Sequence, residues 1–243
     1  MATKELQNVT KKKLVVLSGA GISAESGVAT FRGSNGLWEG YNIMEVASPE
    51  GWAKDYSTVL EFYNARRRNI ASVLPNEAHT ILVEMEKQWE VRIVTQNIDN
   101  LHEQAGSTQV MHLHGEITKA CSSNGKRHVI DIGFGDIQEG DVCADGYQIR
   151  PYIVWFGEAV SLIEAAAEEV LEADVVLVIG TSLEVYPAAG LVNFVRPEVP
   201  IYVIDPNEVT HKMQVANKVV HIQKGGSEGM REFVELLNNR IID

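Results

Sequence analysis

Short, almost wholly apolar runs alternate along this chain with stretches of helical periodicity. The first run, 14–17, stops abruptly at Gly19-Ala20-Gly21 and reads as a buried strand entering a tight loop. Runs rich in β-branched residues at 92–95, 110–113, 174–179 and 201–204 read as further strands. Between them, apolar spacing predicts helices over 58–72, 77–86, 161–172 and 230–238. The second of these is introduced by Pro75-Asn76, a break followed by a capping residue. Strands apolar on both sides that alternate with helices imply an α/β domain, a parallel sheet covered by helices.

The stretch 118–149 departs from this pattern. It carries Cys121 and Cys143 together with Gly125, Asp131, Gly133, Gly135, Asp136 and Gly140, and it sustains neither period. We therefore expect a main domain built from 1–117 and 150–243, with 118–149 as a small inserted module. With no long linker on either side, the module should pack on the main domain.

Composition narrows the function. The chain has 243 residues, 45% hydrophobic and 22% charged, ordinary values for a folded globular protein. A formal net charge of −12 argues against nucleic acid or an anionic membrane surface as partner. Residues 1–13 are polar and lack the apolar core of a secretory signal, no run approaches the length of a membrane span, and two cysteines are too few for a disulfide framework. The expectation is a cytoplasmic protein with free thiols. Against the acidic background, Arg66-Arg67-Arg68 would form a positive spot, and a basic triplet of this kind is ordinarily a solvated helix face.

A strand that runs into Gly19-Ala20-Gly21 lets a backbone approach a diphosphate closely, since glycine has no side chain in the way. Alone, the loop is weak evidence, since a structural turn can have the same form. Gly27 falls too late for the usual dinucleotide fingerprint, and no acidic residue ends a second strand at the expected distance. The segment continues, however, as Ile22-Ser23-Ala24-Glu25-Ser26-Gly27-Val28-Ala29-Thr30-Phe31-Arg32-Gly33. Later come Gln96-Asn97-Ile98-Asp99-Asn100-Leu101-His102, His112-Leu113-His114-Gly115 and Gly180-Thr181-Ser182, each behind a predicted strand. These motifs, in this order, closely resemble the sirtuins, and the resemblance runs from about Val15 to Lys224.

What the resemblance implies is a Rossmann-like parallel sheet with helices on both faces, the small module sitting at the zinc-ribbon position. It also implies NAD as co-substrate, acyl-lysine proteins as partners, and transfer of the acyl group to ADP-ribose with release of nicotinamide. On this reading His114 is the general base, a role suited to an imidazole titrating near neutrality. Asn97 and Asp99 hold the nicotinamide amide and a water. Gly19, Ala20, Gly21, Ser23, Thr30, Phe31, Arg32, Gln96, Ile98, Gly180, Thr181 and Ser182 surround the dinucleotide, with Phe31 shielding the reacting carbon from water. Asp205 or Asn207 would contact the adenine ribose, and Lys224 would lie in the loop over the adenine. His112 is the nearest confounder of His114, while His79, His128, His211 and His221 read as core or surface histidines.

Tyr63 and Arg66, spaced i and i+3, would share one helix face. A guanidinium can hold a carboxylate through two hydrogen bonds and a phenol can add a third, and the pair resembles the signature of sirtuins that accept succinyl- or malonyl-lysine. Val154, Trp155, Phe156 and Gly157 resemble the segment that pairs with the substrate peptide as an added strand. Many sirtuins carry two C-x-x-C pairs that bind structural zinc. Here the second member of each pair is Asn124 or Gly146, so no tightly bound metal is expected. The alternatives are an ADP-ribosyltransferase or NAD glycohydrolase, which would use the same cofactor cleft with a different acceptor, a silent NAD-sensing or interaction module, and a nicotinamide dehydrogenase, which the glycine spacing disfavours.

Overall fold

The computed structural model describes residues 11–30, 37–38 and 40–241. The chain opens with β1 (Lys13–Ser18), a 3-10 turn (Ala20–Ser26) and a short pair, β2 (Leu37–Trp38) and β3 (Tyr41–Asn42). Helices α1 (Ile43–Val46), α2 (Pro49–Lys54), α3 (Tyr56–Ala71) and α4 (Glu77–Met85) lead to β4 (Glu90–Thr95), α5 (Leu101–Ala105) and β5 (Val110–His112). Next come β6 (Gly115–Ser122), β7 (Ile130–Asp131) and β8 (Ile149–Ile153). The chain ends with α6 (Ile163–Leu171), β9 (Val175–Ile179), β10 (Ile201–Ile204), β11 (Val219–Ile222) and α7 (Gly226–Ile241).

Six strands form one parallel sheet in the order β11-β10-β9-β1-β4-β5. Alternate residues of β1 explain its continuous apolar run. Val15 and Leu17 join Val176, Val178 and Val203 beneath α6 and a 3-10 turn (Ala188–Phe194), while Leu14 and Val16 join Leu177 and Ile204 beneath α4 and α7. The chain winds outward from β1 through β4 to β5, then returns to β9 on the other side of β1. That reversal opens a crevice beyond the carboxyl ends of β1 and β9. There Gly21 donates its N–H to the Gly180 carbonyl at 2.8 Å, and a Cβ on Gly21 would lie 2.6 Å from the Gly180 Cα. Gly180 itself has φ +62°, so the two loops interlock only because neither carries a side chain at the contact.

The smaller layer is an antiparallel sheet, β7-β6-β8, whose strands run from Gly115 to Ile153 and pair end to end, Gly115 opposite Ile153. Helix α3 seats against it and against the crevice at once. Val59, Tyr63, Arg66 and Ile70 make one stripe, with Tyr63, Arg66 and Ile70 lining the crevice; Leu60, Asn64 and Arg67 make the neighbouring stripe toward the small sheet; Glu61, Ala65 and Arg68 face solvent. The arginine triplet is therefore not a solvated face. Arg66 and Arg67 are buried, and only Arg68 is exposed, paired with Asp136 at 2.5 Å. Arg67 reaches the Ile117 carbonyl through Nε at 2.8 Å and Asn64 Oδ1 through Nη1 at 2.7 Å, and Asn64 exchanges two hydrogen bonds with the backbone of Ile137. Among the described residues no helix is long and apolar enough to cross a membrane.

Candidate active site

Four loops at the carboxyl ends of β1, β4, β5 and β9 and one face of α3 enclose a single cleft. Its wall brings together Gly19, Ala20, Gly21 and Thr30 from the first loop with Gln96, Asn97, Ile98 and Asp99 from the second. His114 contributes from the third and Gly180, Thr181 and Ser182 from the fourth. Tyr63 and Arg66 line it from α3, and Val154, Trp155, Phe156 and Gly157 line it after β8. Residues separated by more than a hundred positions meet here because parallel strands all deliver their carboxyl ends to the same edge.

Ser23 stands behind this wall and organises it. Its hydroxyl donates to Asp99 Oδ2 at 3.1 Å and accepts from Asn97 Nδ2 at 3.2 Å, so one buried hydroxyl fixes both polar side chains. Burial raises the Asp99 carboxyl, against the lowering effect of hydrogen bonds from the Leu101 N–H and Ser23. Gln96 Nε2 donates to Thr181 Oγ1 at 3.1 Å and ties the β4 and β9 loops together.

The two histidines of His112-Leu113-His114 do different things. His114 Nδ1 lies 3.0 Å from the Gln96 carbonyl, an acceptor only, so Nδ1 carries the hydrogen and Nε2 keeps its lone pair. Burial lowers its pKa, only partly offset by that carbonyl, which favours the neutral base. His112 does not line the cleft. Its Nδ1 meets the Asn97 carbonyl at 2.8 Å and its Nε2 meets Glu103 at 2.7 Å, acceptors on both sides. Burial alone would depress His112, but the hydrogen bond and charge of Glu103 outweigh it and raise the pKa. His112 thus clamps the backbone of the Asn97 loop from below, a contact that no local motif announced. Of the remaining histidines, His79 is buried on α4 and held down to about 4 by desolvation, and His221 pairs with Glu208 and the Asp205 carbonyl.

Besides Ser23, three expected residues, Asp205, Asn207 and Lys224, lie away from the cleft wall. Asp205, buried at the end of β10, accepts both the backbone N–H and the side-chain amide of Asn207 at 2.8 and 2.9 Å. Lys224 turns toward α7 and pairs with Glu228 and Glu232. Phe31 and Arg32 lie outside the described residues. Conversely, Val28, Val185, Tyr186 and Pro187 line the cleft without any chemical signal in the sequence that could have named them.

Residues 19–187, which span every loop of the cleft, match the sequence pattern of the Sir2 family. The chain belongs to the Sir2 family. Similar relatives include the NAD-dependent protein deacylase of Bacteroides thetaiotaomicron, 48% identical over 233 residues that make up 93% of this chain and 98% of the relative. Another, from Aggregatibacter actinomycetemcomitans and described in the same words, is 53% identical over 196 residues, covering 81% and 94% of the two chains. The fold superposes on a Sir2 homologue in complex with NAD with a TM-score of 0.82 at 35% identity, over 95% of this chain and 91% of that one.

In this Sir2-family chain, among the described residues, no group of three or more His, Cys, Asp or Glu side chains could hold a metal ion. Cys121 and Cys143 are buried free thiols. Burial pushes Cys121 up to about 11 and raises Cys143 as well, so neither is a ready thiolate. The loops that carry them are joined by hydrogen bonds. The Ser122 hydroxyl donates to Asp145 at 2.8 Å and accepts the Asn124 N–H at 3.0 Å.

Proposed function

We propose that this protein is an NAD-dependent protein-lysine deacylase that passes the acyl group of acyl-lysine to ADP-ribose, releases nicotinamide, and accepts acidic acyl groups, succinyl or malonyl, as well as acetyl. The observation that carries the finer part is the meeting of Tyr63 and Arg66 with Asn97, Asp99 and His114 in one cleft. The residues fit the co-substrate: the glycine contact of Gly21 with Gly180 leaves the crevice floor as bare backbone, and the buried Ser23, Asn97 and Asp99 set offers polar groups to an amide.

Bound NAD supplies an electrophilic ribose carbon with nicotinamide as its leaving group. His114 accepts a ribose hydroxyl proton at Nε2, made available because Nδ1 is committed to Gln96. Asn97 and Asp99 orient the departing amide, held in place by Ser23 from one side and by His112 on the Asn97 carbonyl from the other. The substrate peptide pairs along Val154 to Gly157, a segment tied to the base because the Val154 N–H donates to the His114 carbonyl at 2.9 Å. At the inner end of the acyl channel, the Arg66 guanidinium and the Tyr63 phenol receive the terminal carboxylate. Arg66 is nearly buried, at 6% exposure, and lines the same cleft as Tyr63.

The test is incubation with NAD and matched acetyl- and succinyl-lysine peptides, following deacylated peptide and acyl-ADP-ribose by mass spectrometry. Faster NAD-dependent loss of succinyl, reversed by Arg66→Met, is the expected result. Loss of acetyl alone would discard the acidic pocket, and nicotinamide release without any acyl peptide would point to ADP-ribosyl transfer or hydrolysis of NAD instead.

A further inference from the structure

Trp155 sits beside the acyl channel, nearly buried at 2% exposure, and its indole Nε1 lies 3.0 Å from the hydroxyl of Tyr63. An indole nitrogen can only donate, so Tyr63 is the acceptor in this pair and its own hydrogen must point away from the indole. Among the described residues no acceptor is hydrogen-bonded to that hydroxyl hydrogen, and Tyr63 lines the cleft. The phenol, wholly buried in the cleft wall, is thereby left as a donor. Burial keeps it protonated, its pKa well above the usual phenol range.

The indole has little freedom to let go. The backbone N–H of Trp155 donates to Glu158 Oε2 at 2.8 Å, and the Arg150 guanidinium lies 3.3 Å from the ring centroid. Arg150 in turn holds both oxygens of Glu158, at 2.8 and 3.2 Å, and the Ile153 carbonyl at 2.9 Å. Lys126, from the small sheet's first hairpin, closes the cluster on Glu158 at 2.7 Å. This partly buried ion cluster fixes the ring before any substrate arrives, the condition under which a single hydrogen bond contributes its full directional effect.

We propose that Trp155 is a specificity-determining residue: its indole N–H orients the Tyr63 hydroxyl as a hydrogen-bond donor aimed at the carboxylate of an acidic acyl-lysine. This rests on the acidic-acyl reading given above and adds to it the group that makes the phenol a donor rather than an acceptor. An acetyl methyl has nothing to accept that hydrogen, so the effect belongs to the ratio between acyl groups rather than to turnover in general.

The experiment measures kcat/KM for succinyl- and acetyl-lysine versions of one peptide in wild type, Tyr63→Phe, Arg66→Met and Trp155→Phe. Phenylalanine keeps an aromatic ring against Arg150 but removes the N–H. The succinyl-to-acetyl ratio is expected to fall about tenfold in Trp155→Phe, the scale of a misaligned hydrogen bond to a charged acceptor, whatever the change common to both substrates. A ratio that collapses in Tyr63→Phe and Arg66→Met but holds in Trp155→Phe overturns this inference and leaves the acidic pocket standing. A wild type without succinyl preference overturns both. Should Trp155→Phe fail to fold, the 15N indole resonances decide: Tyr63→Phe and binding of a succinyl-lysine peptide must move the same tryptophan signal, and signals that move on different tryptophans refute the role.

Discussion

Replacing Arg67 by methionine should destabilise the fold by about 2 kcal/mol, whereas the same change at Arg68 should leave stability almost untouched. Arg67 is fully buried, and methionine fills most of the space of its aliphatic stem, so little cavity results. What is lost is polar. The Ile117 carbonyl, bonded by Nε at 2.8 Å, loses a charged donor, worth about 1–3 kcal/mol when an acceptor is left buried and unmet. Asn64 Oδ1 keeps the Ile137 N–H at 3.0 Å and loses only the second bond, about 1 kcal/mol. Against these stands relief of a buried charge: desolvation brings the guanidinium down to about 10, and its Nη2 has no hydrogen-bond partner. The balance of about 2 kcal/mol corresponds to a Tm lower by roughly 4–8 °C in a chain of this size. Arg68, half exposed and paired with Asp136, should shift Tm by less than about 2 °C, as surface ion pairs usually do. Thermal melts followed by far-UV circular dichroism at pH 7, with a urea series to check that the m-value is unchanged, measure both. Equal melting of wild type and Arg67→Met, or a larger loss at Arg68, would refute the assignment of the helix faces.

Three further outcomes follow from the site. Because burial holds His114, the proposed base, below 6.5 and a base acts in its neutral form, kcat/KM should stay level from pH 8 down past 6.5 and fall only below it; an acidic limb centred at or above pH 7 would contradict the proposal. His112 is raised and Glu103 is lowered, so their pairing stabilises the fold above the carboxylate range and below the raised His112 pKa, and that stability is lost as pH rises through the latter. The Tm gap between wild type and Glu103→Gln should therefore be wider at pH 6 than at pH 9, and a gap that ignores pH would show that His112 is not an imidazolium. Elemental analysis after chelator treatment should find far less than one zinc per chain with the fold intact, and stoichiometric metal would reverse the reading of Cys121 and Cys143.

Sequence reasoning reached what is contiguous. Strands buried on both faces announce themselves as unbroken apolar runs, and each loop behind them carries its chemistry within a few residues. The edge strand β11 gave no such signal, since three of its four residues are only partly buried and a histidine interrupts the run. Strand β6 is hidden similarly, its apolar residues interrupted by Glu116 and Lys119. Contacts between distant segments were out of reach: Trp155 meets Tyr63 across 92 positions, and Arg67 meets Ile117 across 50. Lys224 shows the converse, a residue placed by resemblance whose ammonium the structure engages with two glutamates of α7.

The arginine triplet explains why a helix can mislead a reader who looks only for one apolar stripe. On α3 a stripe at 59, 63, 66 and 70 and another at 60, 64 and 67 lie side by side, so consecutive residues fall on the cleft, the small sheet and solvent in turn. One helix therefore carries a wall of the cleft on one side and the anchor of the small sheet on the other. The ion cluster of Lys126, Glu158 and Arg150 joins the same two regions on the far side of Trp155. The channel is braced twice by the small sheet, through Arg67 and through Glu158.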